Sequence, residues 1–265
     1  MPSGQRSPRA EALPLADSGV CQFLPWDSEF FGLRIGRVTS DRLTGSQIPV
    51  LLDWCRQERI DCLYLLADPG KEEILGPLKT LGFRTVDQRV TLTRPCGERA
   101  APVKLTGMAI RKSVQTDLPD LREIARSSHR QTRFWNDPNF PRSLCEAFYV
   151  RWIEKSCAAP GDRVFVAELG GRPAGYITCE RHDNGQGRIG LFAVAETARG
   201  RGVGGGLLGS AIEWFRTEGI RRISVVTQGD NDAARRAYEK QGFAVDSIAL
   251  WLHYWPRTIP PTSSS

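Results

Sequence analysis

Residues 187–243 read GRIGLFAVAETARGRGVGGGLLGSAIEWFRTEGIRRISVVTQGDNDAARRAYEKQGF, and this stretch decides the fold. Ile189 to Val194 is a short apolar run between Gly187 and the polar Glu196-Thr197, the pattern of a buried strand. Arg199-Gly200-Arg201-Gly202-Val203-Gly204 follows, with Gly205 and Gly206 behind it. Val203, Leu207, Leu208, Ala211, Ile212 and Phe215 then recur three and four apart, which predicts a helix ended by Gly219. Strand, glycine-rich turn and helix start together make an anion site. The first N–H groups of a helix lack intrahelical acceptors, and the helix dipole favours negative charge there. Glycines let phosphate oxygens reach the backbone, and Arg199 and Arg201 add fixed charge. The ligand implied is a diphosphate.

Gly200-x-Gly202-x-x-Gly205 matches the dinucleotide fingerprint, yet Ala195 to Ala198 separate it from its strand. No acidic residue sits cleanly at the end of the next strand, Ile223 to Thr227, to hold a ribose. No Gly-Lys-Ser/Thr follows, which excludes a phosphate P-loop. Asn231, Ala234 and Tyr238 share one helical face ahead of Gly242-Phe243. Singly, Asn231 could be only an N-cap, Gly242 only a C-cap and Tyr238 only a core tyrosine.

With both motifs in this order, Arg199 to Gly204 and then Asn231 to Tyr238, the segment resembles the GNAT family, the GCN5-related N-acetyltransferases. The resemblance implies an α/β GNAT fold, a mixed and mostly antiparallel sheet flanked by helices. It implies acetyl-CoA as co-substrate, its pyrophosphate on Arg199, Gly200, Arg201, Gly202, Val203, Gly204 and Gly205, with Asn231 and Tyr238 nearby. It also implies that a backbone N–H in the region of Phe192, Ala193 and Val194 meets the thioester carbonyl. The resemblance assigns Tyr238 the role of general acid to the departing thiolate. A phenol with a pKa near 10 is a feasible donor to a thiolate whose acid has one near 8.5. Glu180, at the end of the preceding strand, is the candidate base, or no more than a surface glutamate.

The chain has 265 residues, 40% hydrophobic and 25% charged, room for one large or two small globular domains. No apolar run approaches the roughly 18 residues of a membrane span. Met1 to Ser18 lacks the apolar core of a secretory signal and reads as a disordered tail, as do residues 257–265. Seven cysteines without a CxxC predict free thiols in a reducing cytoplasm. Three histidines, none paired at metal spacing, predict no metal site. The formal charge of +6 could suit nucleic acid, but the basic residues are interleaved with Asp and Glu. A basic surface suited to an anionic nucleotide substrate is the expectation, with no nucleic-acid or membrane partner and a homodimer left open.

Residues 19–95 read as a first domain that repeats the second. Shifted by 160 positions, Trp54 falls on Trp214, Arg56 on Arg216, Glu58 on Glu218, Ile60 on Ile220 and Gly82-Phe83 on Gly242-Phe243. Lys71 stands where the second copy has Asn231, Leu78 where it has Tyr238, and no glycine cluster occurs near residues 42–46. A degenerate GNAT-like N-terminal half is therefore expected, with coincidence among generic α/β elements as the alternative. Pro95 to Gly107 reads as a linker spanning 96–107, and residues 108–256 as the catalytic domain. There Asp117 is expected to cap a helix, and Ser127 to Pro141 to form a polar and aromatic loop.

Trp26-Asp27-Ser28-Glu29-Phe30-Phe31-Gly32 and Arg133-Phe134…Asp137-Pro138…Tyr149…Trp152 resemble one branch of the family. That branch acetylates the amino group of dTDP-linked amino-deoxy sugars, so the resemblance implies a nucleotide-linked amino sugar as acceptor. Trp26, Phe30 and Phe31 could equally be core packing. Arg133, Phe134 and Trp135 are the candidate substrate-binding residues, aromatic rings for a base and a guanidinium for the diphosphate. Acetyl transfer to a protein N-terminus, a lysine or a small amine stays open beside this. So does a CoA-binding module without catalysis, against which an intact Asn231 and Tyr238 argue.

Overall fold

A computed structural model describes residues 19–39, 43–102 and 107–256; the two expected tails lie outside them. By contacts the chain divides into two units. Of the described residues, the first takes in those up to Leu66, Lys71–Arg84 and 253–256; the second takes in Ala67–Gly70 and those from Thr85 to Leu252.

The first unit carries β1 (Cys21–Phe23), α1 (Pro25–Phe31), β2 (Ile35–Val38), α2 (Ile48–Gln57), β3 (Cys62–Ala67) and α3 (Glu72–Thr80). β2 pairs antiparallel with β1 and parallel with β3. The apolar stripe of α2 buries Ile48, Leu51, Trp54 and Cys55. Gly36 lies beneath Trp54, whose ring would be 2.6 Å from a Cβ there, so only glycine fits. Ser28 ties α1 to β2 by accepting the Ile35 N–H at 2.9 Å. Of the three aromatics read in α1, Phe31 is core at 6% exposure, while Trp26 and Phe30 are half-buried and stacked on each other.

The second unit carries β4 (Arg84–Pro95), β5 (Met108–Lys112), α4 (Leu118–Ser128), α5 (Arg133–Asn136) and α6 (Arg142–Ala158). β6 (Arg163–Leu169), β7 (Arg172–His182), β8 (Gln186–Val194), α7 (Val203–Thr217), β9 (Arg222–Gln228), α8 (Asp232–Lys240) and β10 (Ala244–Tyr254) follow. Its strands lie in the order β10-β4-β9-β8-β7-β6-β5. β8 and β9 are parallel, and the β4–β9, β5–β6, β6–β7 and β7–β8 pairs are antiparallel, a mixed and mostly antiparallel sheet. Alternate residues Val90, Leu92, Ile177, Cys179, Ile189, Ile223 and Val225 face α7 and pack with Leu207, Leu208, Ala211, Ile212 and Phe215. α4 lies against β7 and β8, and α6 against α4.

The sheet divides from the first unit elsewhere than the stretch between Pro95 and Gly107. β4 pairs with β9 from Arg89↔Gln228 to Pro95↔Arg222, and its Val90 and Leu92 belong to the core under α7. Arg94 on the same strand is 4% exposed and donates to the carbonyls of Gln241 at 2.7 Å, Glu98 at 2.8 Å and Arg99 at 3.0 Å. Two local readings also change. Asp117 does not cap α4; its carboxylate accepts the Val114 N–H and both ends of the Arg111 guanidinium, each at 2.8 Å. The loop before Pro141 contains a helical turn, α5, capped by Thr132.

The offset of 160 holds for whole elements: α3 over Glu72–Thr80 corresponds to α8 over Asp232–Lys240, and Arg84 of β4 to Ala244 of β10. It extends to the turns. Phe83 N–H donates to the Leu78 carbonyl at 3.0 Å and Phe243 N–H to Tyr238 at 3.1 Å, while Arg59 (φ 50°) matches Gly219 (φ 72°).

Arg94→Met should destabilise the second unit by about 2 kcal/mol, because the buried Gln241 carbonyl loses its charged donor. Urea unfolding measures this, and a change within a few tenths would show that Arg94 does not anchor β4.

Candidate active site

β8 and β9 pair only from Gln186↔Arg222 to Ile189↔Val225; beyond that no ladder joins them among the described residues. The cause lies on the other side of β8. Its register with β7 shifts between Ile177↔Phe192 and Cys179↔Ile189, and the Leu191 N–H donates to the Thr178 hydroxyl at 2.7 Å. Such a bulge bends its strand, and β8 parts from β9. Ala195 N–H donates to the Ala174 carbonyl at 2.9 Å, so by alternation Ala193 also faces β7. Phe192 and Val194 therefore turn their N–H and C=O groups into the gap, and Ala193 between them turns its own towards β7.

At the head of α7, Gly200 (φ 74°) and Gly202 (φ 82°) take backbone conformations that a side chain would strain. Gly206 N–H donates to the Gly202 carbonyl at 3.0 Å, leaving the N–H groups of Val203, Gly204 and Gly205 ahead of it directed out of the helix. Arg199 and Arg201 are exposed beside this turn. A Cβ on Gly204 would stand 3.1 Å from the Phe192 ring, so the turn adjoins the gap and the fit depends on glycine.

Tyr238 packs on the same side, its ring centroid 5.9 Å from Phe192 and 5.7 Å from Phe243. It is 3% exposed, and burial pushes its hydroxyl above the ordinary tyrosine range, so it stays protonated. The Asn231 side-chain oxygen accepts the Ala234 N–H at 3.1 Å and caps α8, leaving its amide NH₂ as the group a ligand could meet.

Glu180 lies across the sheet from Tyr238. A Cβ on Gly190 would be 2.6 Å from its carboxylate oxygen, which puts Glu180 at the bulge on the face away from α7. Arg188 stands 3.6 Å from it. On the same face the Tyr176 hydroxyl meets His129 Nε2 at 3.0 Å, and burial holds that imidazole down to about 4, hence neutral.

Arg133, Phe134 and Trp135 part company on α5. Phe134 is 2% exposed, between Phe140 at 5.3 Å and Phe148 at 4.7 Å, so it is core and cannot stack on a base. The Thr132-capped turn aims it inward, which a linear reading of a polar loop misses. Arg133 lies over the rings of Phe134 and Trp251, and half-buried Trp135 lies under Arg130 and Arg142. Asp87 and Arg89 were not singled out in the sequence. Since Val90 faces α7, Arg89 and Asp87 face the other way, with Glu180. Burial pushes Asp87 up to about 7, with Asp230 raising it further and Arg133 opposing.

Among the described residues no group of three or more His, Cys, Asp or Glu could hold a metal ion, and no helix is long and apolar enough to cross a membrane.

Proteins similar in sequence and fold show that this arrangement is that of an acyltransferase. Residues 118–243 match the model described as the acetyltransferase (GNAT) family. The chain is 30% identical over 236 residues to a protein called dTDP-fucosamine acetyltransferase from Escherichia coli O6:H1, covering 87% of this chain and 96% of that one. It is 28% identical over 134 residues to the Bacillus subtilis spore coat polysaccharide biosynthesis protein SpsD, covering 51% of this chain and 46% of that one. The fold matches a GCN5-related N-acetyltransferase from Sphaerobacter thermophilus with TM-score 0.64 at 15% identity, over 92% of this chain and 79% of that one. A tandem GNAT protein from the clavulanic acid biosynthesis pathway matches with TM-score 0.59 at 13% identity, over 86% and 77%. This chain belongs to the GNAT family of acetyltransferases.

A carboxyl near 7 when folded and about 3.9 when unfolded makes the folded state the tighter proton binder. Its contribution to stability is full below about pH 4 and is lost as pH rises to about 7. Asp87→Asn should remove that decline from the melting temperature measured across the range; a variant profile parallel to the native one would show that Asp87 titrates normally.

Proposed function

We propose that this acetyltransferase moves an acetyl group from acetyl-CoA to the amino group of a nucleotide-linked amino-deoxy sugar, dTDP-linked in the first instance. The observation that carries the reading is the gap between β8 and β9, with Tyr238 on one face and a polar face bearing Glu180 on the other. The acceptor class is carried over from the relative named dTDP-fucosamine acetyltransferase.

Bound acetyl-CoA would supply the acetyl group already activated as a thioester. The N–H groups of Val203, Gly204 and Gly205, with Arg199 and Arg201, would hold its pyrophosphate, and the Asn231 amide could assist. Phe192 and Val194 offer N–H donors fixed before reaction, which favour a carbonyl oxygen as negative charge grows on it. Tyr238 keeps its proton at neutral pH and can return it to a leaving sulfur. Burial raises the proton affinity of the phenol, and the same dry surroundings raise that of a thiolate beside it, so the pair stays matched. Glu180 can take the proton of the attacking amine, directly or through water. A sugar amine is less basic than lysine, so part of it is neutral without help. The first unit serves as a degenerate copy that keeps the packing residues and lacks the glycine turn, Asn231 and Tyr238 equivalents.

Thiol release from acetyl-CoA, measured with dTDP- and UDP-linked amino sugars, peptides and small amines, tests the acceptor. Turnover confined to peptides or small amines would replace the sugar reading. Tyr238→Phe should lower kcat by roughly 10²–10⁴-fold with the KM for acetyl-CoA little changed; full activity refutes its role as acid. Arg133→Ala should raise the KM for the nucleotide sugar and not for acetyl-CoA; equal rises would count against it.

A further inference from the structure

The sheet face turned away from α7 is covered over β7 and bare over β9. Tyr176 on β7 is 0% exposed, whereas Val226 on β9 is 38% exposed. Yet β9 is no edge strand, since β4 and β8 flank it. Layered sheets cover both faces of their central strands, so an exposed valine there marks an open trough. Ser224 and Val226 of β9 and Thr91 of β4 form its floor. Glu180 and Arg188 stand on the β8 side, and Asp87 and Arg89 on the β4 side.

Arg89 is unusual among these groups. Its side chain is half-buried, and no hydrogen bond or ion pair reaches it among the described residues. Burial, Arg188 and Arg133 all hold its proton affinity below the ordinary arginine value, so two other guanidiniums lie within electrostatic range of Arg89. The carboxylates near them are partly committed: Glu180 to Arg188, and Asp87 to a raised proton affinity that its neighbour Asp230 reinforces. A half-buried cation beside two others is unfavourable until an anion joins it.

We propose that Arg89, with Arg188 and Arg133, receives the diphosphate of the acceptor, laying the nucleotide sugar along this trough so that its amine reaches the gap between β8 and β9. The planar fork of a guanidinium matches phosphate oxygens two at a time, and the small polar floor leaves room for them. The inference rests on the nucleotide-sugar reading above and adds the residue that recognises the phosphates, on a strand outside residues 118–243.

Calorimetry on the full chain saturated with CoA, titrated with dTDP and with inorganic pyrophosphate, tests it; the bound CoA blocks the α7 anion site. Arg89→Gln should weaken dTDP binding about 10–100-fold, the loss of one or two bonds to a charged group. Its acetyl-CoA affinity should be native, which shows the variant folded, and Arg89→Lys should recover part of the loss. Native dTDP affinity in Arg89→Gln, or no binding of either probe to the wild type, overturns the inference. If dTDP binds through Arg89 but no nucleotide-linked amino sugar is acetylated, the inference stands and the acceptor reading fails. If such sugars are acetylated with an unchanged KM in Arg89→Gln, the acceptor reading stands and the inference fails.

Discussion

A gap between two neighbouring strands survives only if each strand is held from its far side. β8 is held by β7, up to and past the bulge at Thr178. β9 shares four residue pairs with β8 before they part, and seven with β4. Those seven hold β9 from its far side where it no longer pairs with β8. β4 is in turn fixed by Val90 and Leu92 in the core and by Arg94 on the Gln241 carbonyl. The opening where the chemistry is proposed thus depends on a strand more than a hundred residues upstream of Tyr238.

The gap also lets one sheet present two unlike surfaces at one opening. The α7 face is apolar and nearly dry, which keeps the Tyr238 proton in place at neutral pH. The opposite face carries Asp87, Arg89, Glu180 and Arg188 around the exposed Val226. Strand alternation sorts the residues onto the two faces, and the bulge at Gly190-Leu191 resets that alternation where β8 leaves β9.

The parts written in local chemistry were legible in the sequence. Glycines before a run spaced three and four apart specify the turn and α7, and the 160-residue repeat predicts elements that align from α3 to β10. What depends on distant partners was not. Nothing local to Asp87-x-Arg89 says which sheet β4 joins, so two residues of the open face went unnoticed. Phe134 read as a surface ring because its neighbours are polar, and only the fold of α5 turns it inward. Which of Phe192, Ala193 and Val194 turns its N–H into the gap stayed open, because the parity of a strand cannot be assigned before its bulge is located.

β4 also bears on where the protein can be cut. The family match spans 118–243, and the proline-rich stretch after Pro95 invites a cassette beginning there. Such a cassette would leave behind the strand that seals the far edge of β9, exposing a raw row of amides and carbonyls to any sticky neighbour. A transplantable module has to begin near Arg84, where β4 starts, or β9 loses its neighbour.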